Sequence, residues 1–258
     1  MKLKALIDKL NEKFPENICE SWDNVGLLLG DKDKEVKKVL IALEVNSKAI
    51  DKAIQERVDM IISHHPLIFK SLKKITKDDM IGSRIMRLLE NDIAVYAMHT
   101  NLDSAAGGLN DYVFKLLDLD AKRMYENETK NRPIRYFNLA KKMTIEEMVK
   151  VVKEKLNISQ LRVIYDEYYT KKEIKSFALV TGSGMDFFNE VKDKVDLFIT
   201  ADVKYHEAQD ALEQGVSIID FGHLESEVHA VDLLSNYLKE ATNLQIVEFH
   251  NKPVYIYW

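Results

Sequence analysis

Residues 38–63, KVLIALEVNSKAIDKAIQERVDMIIS, decide the fold class of this chain. The apolar run Val39–Val45 predicts a buried strand, and Asn46 is a typical first residue for a helix that runs to about Arg57. A second apolar run at 58–63 predicts another strand. Strand, helix and strand in this order indicate a βαβ unit with two parallel strands.

The same pattern returns at 175–200, KSFALVTGSGMDFFNEVKDKVDLFIT, and aligns with 38–63 without a gap. Further apolar runs at 93–98 and 216–221 extend the alternation of strands and helices in both halves of the chain. We therefore expect an α/β fold with two similar domains, each with a mixed sheet covered by helices. Chance similarity between two βαβ units is the alternative to a duplication.

The domain boundaries follow from a charged stretch and from the end of the chain. Residues 121–135, AKRMYENETKNRPIR, are charged and contain a proline, as expected of a junction. We predict a first domain from 1–126 with 221–258 and a second domain from 127–220. The last residues, LQIVEFHNKPVYIYW, are interpreted as two final strands of the first domain.

Composition excludes several classes of protein. The 258 residues carry 37 basic and 42 acidic side chains, a net charge of −5, which argues against a general nucleic-acid binder. A single cysteine, Cys19, excludes an internal disulfide and a cysteine-based zinc site. No apolar run is long enough to span a membrane, and the first 14 residues are too charged for a signal peptide. We expect a cytoplasmic protein.

Four of the seven histidines stand where a predicted strand ends. Ligands of α/β proteins collect at the carboxyl ends of strands. His64 and His65 are adjacent, so their rings converge only if the chain leaves the strand there, which Pro66 favours. His99 and His223 follow later strands. The alternative for each is a buried histidine with an ordinary hydrogen bond.

Two carboxylates accompany these histidines at the same spacing. Asp103 follows His99 by four residues in an expected loop, and Glu227 follows His223 by four residues, one turn apart on a helix. Imidazole with carboxylate suits zinc, iron or manganese, and five such ligands suit two metals about 3.5–4 Å apart. A solvated helical glutamate is the alternative for Glu227.

Four segments together resemble one family. They are SWDNVGLLLG (21–30), SHHPLIF (63–69), MHTNLDSAAGGLND (98–111) and ITADVKYHEAQDALEQGVSIIDFGHLESE (199–227). The chain is similar over most of its length to the NIF-three-like family, whose members are often labelled GTP cyclohydrolase I type 2 homologues. The similarity is weakest around 121–175.

The resemblance implies a metal pair in the cleft between two domains and a ring-shaped homohexamer. It places the metal ligands on the residues reached above: His64, His65, Asp103, His223 and Glu227. His99 matches a family position beside the metals, and His206 matches a histidine that faces the cleft. We expect these two to move protons, although ordinary helix packing would also explain His206.

The family label implies a metal-dependent hydrolase in which two divalent ions activate water to attack the imidazole ring of GTP, with release of formate. Phosphoester cleavage is the alternative reaction. A non-catalytic metal carrier and a metal-dependent interaction scaffold are the alternatives to an enzyme. The expected partners are further copies of the chain and a small nucleotide-like substrate, with no membrane.

Two segments are open to a second interpretation. Thr181-Gly182-Ser183-Gly184 lies between a strand and a helix and could hold a phosphate, but it lacks the complete dinucleotide or Walker pattern. Asp23 and Asn24 belong to the WDN motif of the family, and an Asx turn is their structural alternative.

Overall fold

The structure is a computed structural model that describes residues 1–255. Within that range the strands are β1 Gly26–Leu29, β2 Lys38–Ala42, β3 Met60–Ser63, β4 Ala94–Ala97, β5 Ala121–Met124, β6 Arg135–Thr144, β7 Arg162–Ile164, β8 Glu173–Ser183, β9 Leu197–Ala201, β10 Ser217–Asp220 and β11 Gln245–Phe249. The helices are α1 Leu3–Lys13, α2 Ser47–Glu56, α3 Met80–Glu90, α4 Thr100–Ser104, α5 Leu109–Leu117, α6 Ile145–Lys155, α7 Phe188–Val191, α8 Tyr205–Glu213, α9 His223–Glu227 and α10 His229–Ala241. None of these helices is long and apolar enough to cross a membrane.

The chain forms two compact units. The first comprises Met1–Ala105 with the described residues from Ala230 onward, and the second comprises Ala106–His229. These bounds differ from the junctions expected near 126 and 221, because β5 pairs with β6 and α9 packs on β8. The candidate ligands on α9 therefore belong to the second unit.

The first unit contains a five-stranded mixed sheet in the order β1-β4-β3-β2-β11. Strands β2, β3, β4 and β11 are parallel, and β1 is antiparallel at the edge. Helices α2 and α3 cover one face with buried Ala49, Ile50 and Ile85, which pack on Leu40 and Ile61. An α/β fold with mixed sheets covered by helices is confirmed.

The second unit contains a six-stranded mixed sheet in the order β5-β6-β8-β9-β10-β7. Its central strands β8, β9 and β10 are parallel, and antiparallel β7 closes the edge beside β10. Three parallel strands next to an antiparallel edge strand also occur in the first unit. The second unit thus repeats the central topology of the first.

One aspartate in each unit supports the duplication. The Asp59 carboxylate precedes β3 and accepts hydrogen bonds from the backbone N–H groups of Lys37 (2.7 Å) and Lys38 (2.9 Å) at the start of β2. Asp196 precedes β9 and accepts from Lys175 (2.9 Å) and the following backbone N–H (3.1 Å) on β8. The two aspartates are aligned in the sequence repeat, so the motif and its bonding recur together.

Local signals explain where several helices begin. The Asn46 side chain accepts from the backbone N–H of Ala49 at 3.0 Å and starts α2 as expected. Thr144 and Glu147 form a reciprocal capping box at α6, also as expected. The Asp79 side chain accepts from the backbone N–H of Gly82 at 2.7 Å and caps α3, as Asn46 caps α2.

Three expectations about elements need correction. Residues 121–135 lie within the second unit and not at its boundary, and 121–124 pair with β6 as strand β5. The helix expected from about Glu225 is two helices, α9 and α10, that meet at Val228. Of the two final strands, β11 is present, residues 250–255 form no strand, and residues 256–258 lie outside the described part of the chain.

Candidate metal centre

The first unit places three histidines at one edge of its sheet. His64 and His65 follow β3, and His99 follows β4, which is the parallel neighbour of β3. One ring nitrogen of each lies within 4.8 Å of the other two. The chain leaves the strand after Ser63, before both histidines, and the rings of His64 and His65 lie 5.1 Å apart between centroids. These three residues form the first-unit cluster.

Asp103 adds a carboxylate to this cluster. Its Oδ1 atom lies 3.7 Å from Nε2 of His64. The residue is in helix α4 and not in the expected loop, because the helix begins immediately after His99. One turn of helix therefore returns the Asp103 carboxylate toward the histidines.

Hydrogen bonds fix the tautomers of the adjacent histidine pair. The buried His64 ring donates from Nδ1 to the carbonyl oxygen of Met98 at 2.8 Å. The His65 ring donates from Nδ1 to Oε1 of Glu44 at 2.6 Å. With the proton on Nδ1, Nε2 of each ring carries the lone pair that binds a metal.

His99 is oriented by the aspartate of the WDN motif. Its Nδ1 atom lies 2.8 Å from Oδ1 of Asp23, and Oδ2 accepts from the backbone N–H (3.0 Å) and the hydroxyl (2.5 Å) of Thr100. Burial raises the pKa of Asp23, but the bonds and charge from His99 and Thr100 outweigh it and lower the pKa to about 2. Asp23 is therefore an ionised acceptor that holds the His99 ring.

The second unit brings together a histidine and two carboxylates. His223 and Glu227 lie one turn apart on α9, as expected, with Nε2 and Oε2 at 3.0 Å. Nδ1 of His223 lies 2.6 Å from Oδ2 of Asp202, which follows β9. Burial lowers the pKa of His223, but Glu227 and Asp202 outweigh it and raise the pKa to about 9. His223, Glu227 and Asp202 form the second-unit cluster.

A glycine leaves room for the Glu227 carboxylate. Gly182 has a φ of +64°, and a Cβ atom added there would lie 2.1 Å from Oε1 of Glu227. The backbone N–H of Gly182 donates to the Ser226 hydroxyl at 2.9 Å, which ties the end of β8 to α9. The glycine is required both by its backbone angle and by the closeness of Glu227.

The segment 181–184 is not a phosphate cradle. The backbone N–H of Thr181 donates to Asn110 (2.8 Å), and that of Gly184 donates to Thr200 (2.9 Å). With Gly182 bonded to α9, these N–H groups already have acceptors within the protein. The helix that follows begins with a short 3-10 turn, which offers no extended N-terminus.

His206 lies on α8, as expected of a helical residue, and its side chain is exposed. Its ring contacts the exposed Tyr205 ring edge-on at 5.3 Å. The role of His206 in moving a proton stays a prediction.

Sequence reasoning missed Glu44 and Asp202, the carboxylates that hold His65 and His223. Each is 21 residues before its histidine. Glu44 follows β2 and Asp202 follows β9. The parallel neighbour of each strand, β3 or β10, leads to the corresponding histidine. The shared separation of 21 residues, with a carboxylate after one parallel strand and a histidine after the next, is the signal that could have found both residues.

The donor set of both clusters fits a divalent metal. Each of the four histidines uses Nδ1 for an acceptor in the protein, and in two of them Nε2 faces a candidate carboxylate ligand. An imidazole held this way is the usual arrangement behind a bound zinc or iron ion.

Comparisons with known proteins identify the family of the chain. A GTP cyclohydrolase 1 type 2 homologue of Clostridium acetobutylicum is 38% identical over 246 residues, which cover 93% of this chain and 91% of that protein. The homologue from Campylobacter jejuni is 36% identical and covers 98% of both. A Staphylococcus aureus hypothetical protein of known structure has a TM-score of 0.85 at 29% identity, covering 100% of this chain and 99% of its own. A sequence model of one family, described as Duf34/NIF3 (NGG1p interacting factor 3), matches residues 1–253, and the chain therefore belongs to the DUF34/NIF3 family.

Proposed function

We propose that this protein binds two divalent metal ions and is a metal-dependent hydrolase that acts on a nucleotide, as a GTP cyclohydrolase of type 2. One observation carries the proposal: His64, His65 and His223 are each held at Nδ1 by an acceptor in the protein, which leaves Nε2 of each ring as the atom that would bind a metal. Relatives named GTP cyclohydrolase 1 type 2 homologue support GTP as the first substrate to test.

The proposed ligands come from both clusters. Oxygen and nitrogen donors of this kind accept zinc, iron and manganese, so any of the three could occupy the site. The residues that would hold the metal pair are His64, His65, Asp103, His223 and Glu227.

A bound metal pair would supply hydroxide near neutral pH for attack on the substrate. The protein's own contribution is proton transfer and orientation. His99, held at Nδ1 by ionised Asp23, is positioned to accept or return a proton at Nε2. We propose His206 as a second proton carrier because its imidazole is exposed on α8 and can exchange protons with water.

The test is release of formate from GTP by metal-reconstituted protein. Wild type is compared with Glu227→Ala and His65→Ala, and Glu225→Gln on the same helix serves as the control. We expect release by wild type and by the control, and loss in the two ligand variants. No release from wild type that demonstrably holds two metals would remove GTP as the substrate, and equal release from all four proteins would refute the site.

A non-catalytic role as metal carrier or interaction scaffold is the second candidate. It is favoured by the family description, which refers to an interacting factor. A carrier would exchange its metals readily with a chelator, whereas an enzyme would retain them through dialysis. A scaffold would bind its partner equally well after Glu227→Ala.

We also propose that the protein assembles as a homohexamer. Light scattering during size-exclusion chromatography should then give six times the chain mass of 29.9 kDa. A monomer or dimer at micromolar concentration would refute this assembly.

A further inference from the structure

A cavity of about 350 Å³ lies in the first unit beside His65. Pro66, the next residue in the chain, lines it, and so does Glu44, the carboxylate that holds the His65 ring. Both residues follow the carboxyl ends of the parallel strands β2 and β3, which is where α/β proteins bind ligands.

The charges around the cavity are unbalanced. Arg84 on α3 and Lys70 in the preceding loop line it, and within residues 1–255 neither side chain forms an ion pair or hydrogen bond. The Nε atom of Arg84 is buried and meets no acceptor in that described range. The one acidic residue of the lining, Glu44, is already bonded to His65. A buried donor of this kind is costly unless a ligand supplies the acceptor.

The rest of the wall is apolar. It consists of Val45 after β2 and of side chains from the loop after β3 and from the first turn of α3, including the half-exposed Phe69. A cavity with two cations and an apolar wall suits a molecule that has an anionic group and an apolar or aromatic body.

We propose that this cavity binds the phosphate group of the substrate, with Arg84 and Lys70 as its ligands. The inference rests on the proposed function, since it assigns the part of the substrate that lies beside His65. Two cations match the roughly double negative charge of a nucleotide's terminal phosphate at neutral pH, and the planar guanidinium of Arg84 can donate two hydrogen bonds to it. Phe69 and the apolar wall contact the body of the same molecule.

The experiment is a calorimetric titration of metal-loaded protein with phenylphosphonate. This phosphate analogue is not cleaved by water. The variants are Arg84→Gln and Lys70→Gln. Arg87→Gln is the control: it removes the same charge from the same helix, where Arg87 pairs with Asp51 at the surface. We expect Arg84→Gln to weaken binding by about tenfold or more, Lys70→Gln by less, and the control to bind as wild type does.

Two further readouts separate this inference from the proposed function. Metal content should be the same in wild type and Arg84→Gln, because Arg84 is not a proposed ligand. Metal-free protein should retain binding that depends on Arg84, whereas binding that is lost with the metals would place the anion on the metals and overturn the inference. Equal affinity of Arg84→Gln and Arg87→Gln for phenylphosphonate would also overturn the inference. Formate release by wild type would still support the proposed hydrolase in either case.

Discussion

Gly182→Ala is the substitution whose effect follows most directly from the geometry. The new Cβ would lie 2.1 Å from Oε1 and 3.2 Å from Cδ of Glu227, whereas nonbonded carbon and oxygen atoms rarely approach within 3.0 Å. The carboxylate must therefore move by about 1 Å, several times the ±0.2 Å tolerance of metal–ligand distances. We expect metal affinity to fall by about tenfold or more, as it does when a residue that hydrogen-bonds to a metal ligand is removed.

The control is Gly215→Ala in the same unit. Gly215 has a φ of +77°, close to the +64° of Gly182, but its added Cβ would meet nothing nearer than a carbonyl oxygen at 3.5 Å. Both variants should lose about 1 kcal/mol of stability from the left-handed backbone, which denaturant unfolding measures. Only Gly182→Ala should lose metal.

The assay is competition between the protein and a chromogenic chelator for zinc at fixed pH. If Gly182→Ala and Gly215→Ala bind zinc equally well, either Glu227 is not a metal ligand or the end of β8 shifts without moving Glu227. If Gly182→Ala loses affinity while Gly215→Ala does not, steric displacement of Glu227 is the cause, because the backbone strain is common to both.

Further predictions concern stability and the support of His99. The Asp111 carboxylate forms ion pairs with Arg123 and with Arg135, whose side chain is only 1% exposed. Asp111→Ala should therefore lower the free energy of unfolding in urea by about 3 kcal/mol. A decrease below about 1 kcal/mol would contradict the pairing. Burial raises the pKa of Asp196, but Lys171 and two backbone N–H groups outweigh burial and hold this pKa below its ordinary value of 3.8. The ionised Asp196 therefore stabilises the fold above about pH 4, and this contribution is lost as the pH falls through the pKa of the folded state. The stability difference between wild type and Asp196→Asn should thus shrink from pH 7 to pH 3, and a difference that is independent of pH would refute this. Asp23→Asn should retain both metals and lower formate release by about 10- to 100-fold, and unchanged release would remove His99 from the mechanism.

The residues that sequence reasoning identified share a local signal. His64, His65 and His99 each follow an apolar run, and Asp103 and Glu227 lie at a four-residue spacing from a histidine. Strand ends and helical spacing are properties of neighbouring residues, and the sequence displays them directly.

The residues that it missed depend on which strands are neighbours. Glu44 contacts His65 because β2 and β3 are adjacent and in register, and Asp202 contacts His223 because β9 and β10 are. Neither pairing can be read from a short stretch. The same limit explains the missed strand β5, which is mostly half-buried, contains two adjacent basic residues and no apolar run, and forms by pairing with β6.

The discontinuity of the first unit has a consequence for synthesis of the protein. Strand β11 pairs with β2 along its whole length, from Lys38 to Ala42, although about 200 residues separate them in the chain. On the ribosome, the continuous second unit emerges complete before Gln245–Phe249 do, so we expect it to fold while one side of β2 still lacks its neighbour. The exposed edge of β2 is then open to pairing with other nascent chains, and chaperone protection would be needed most during this interval.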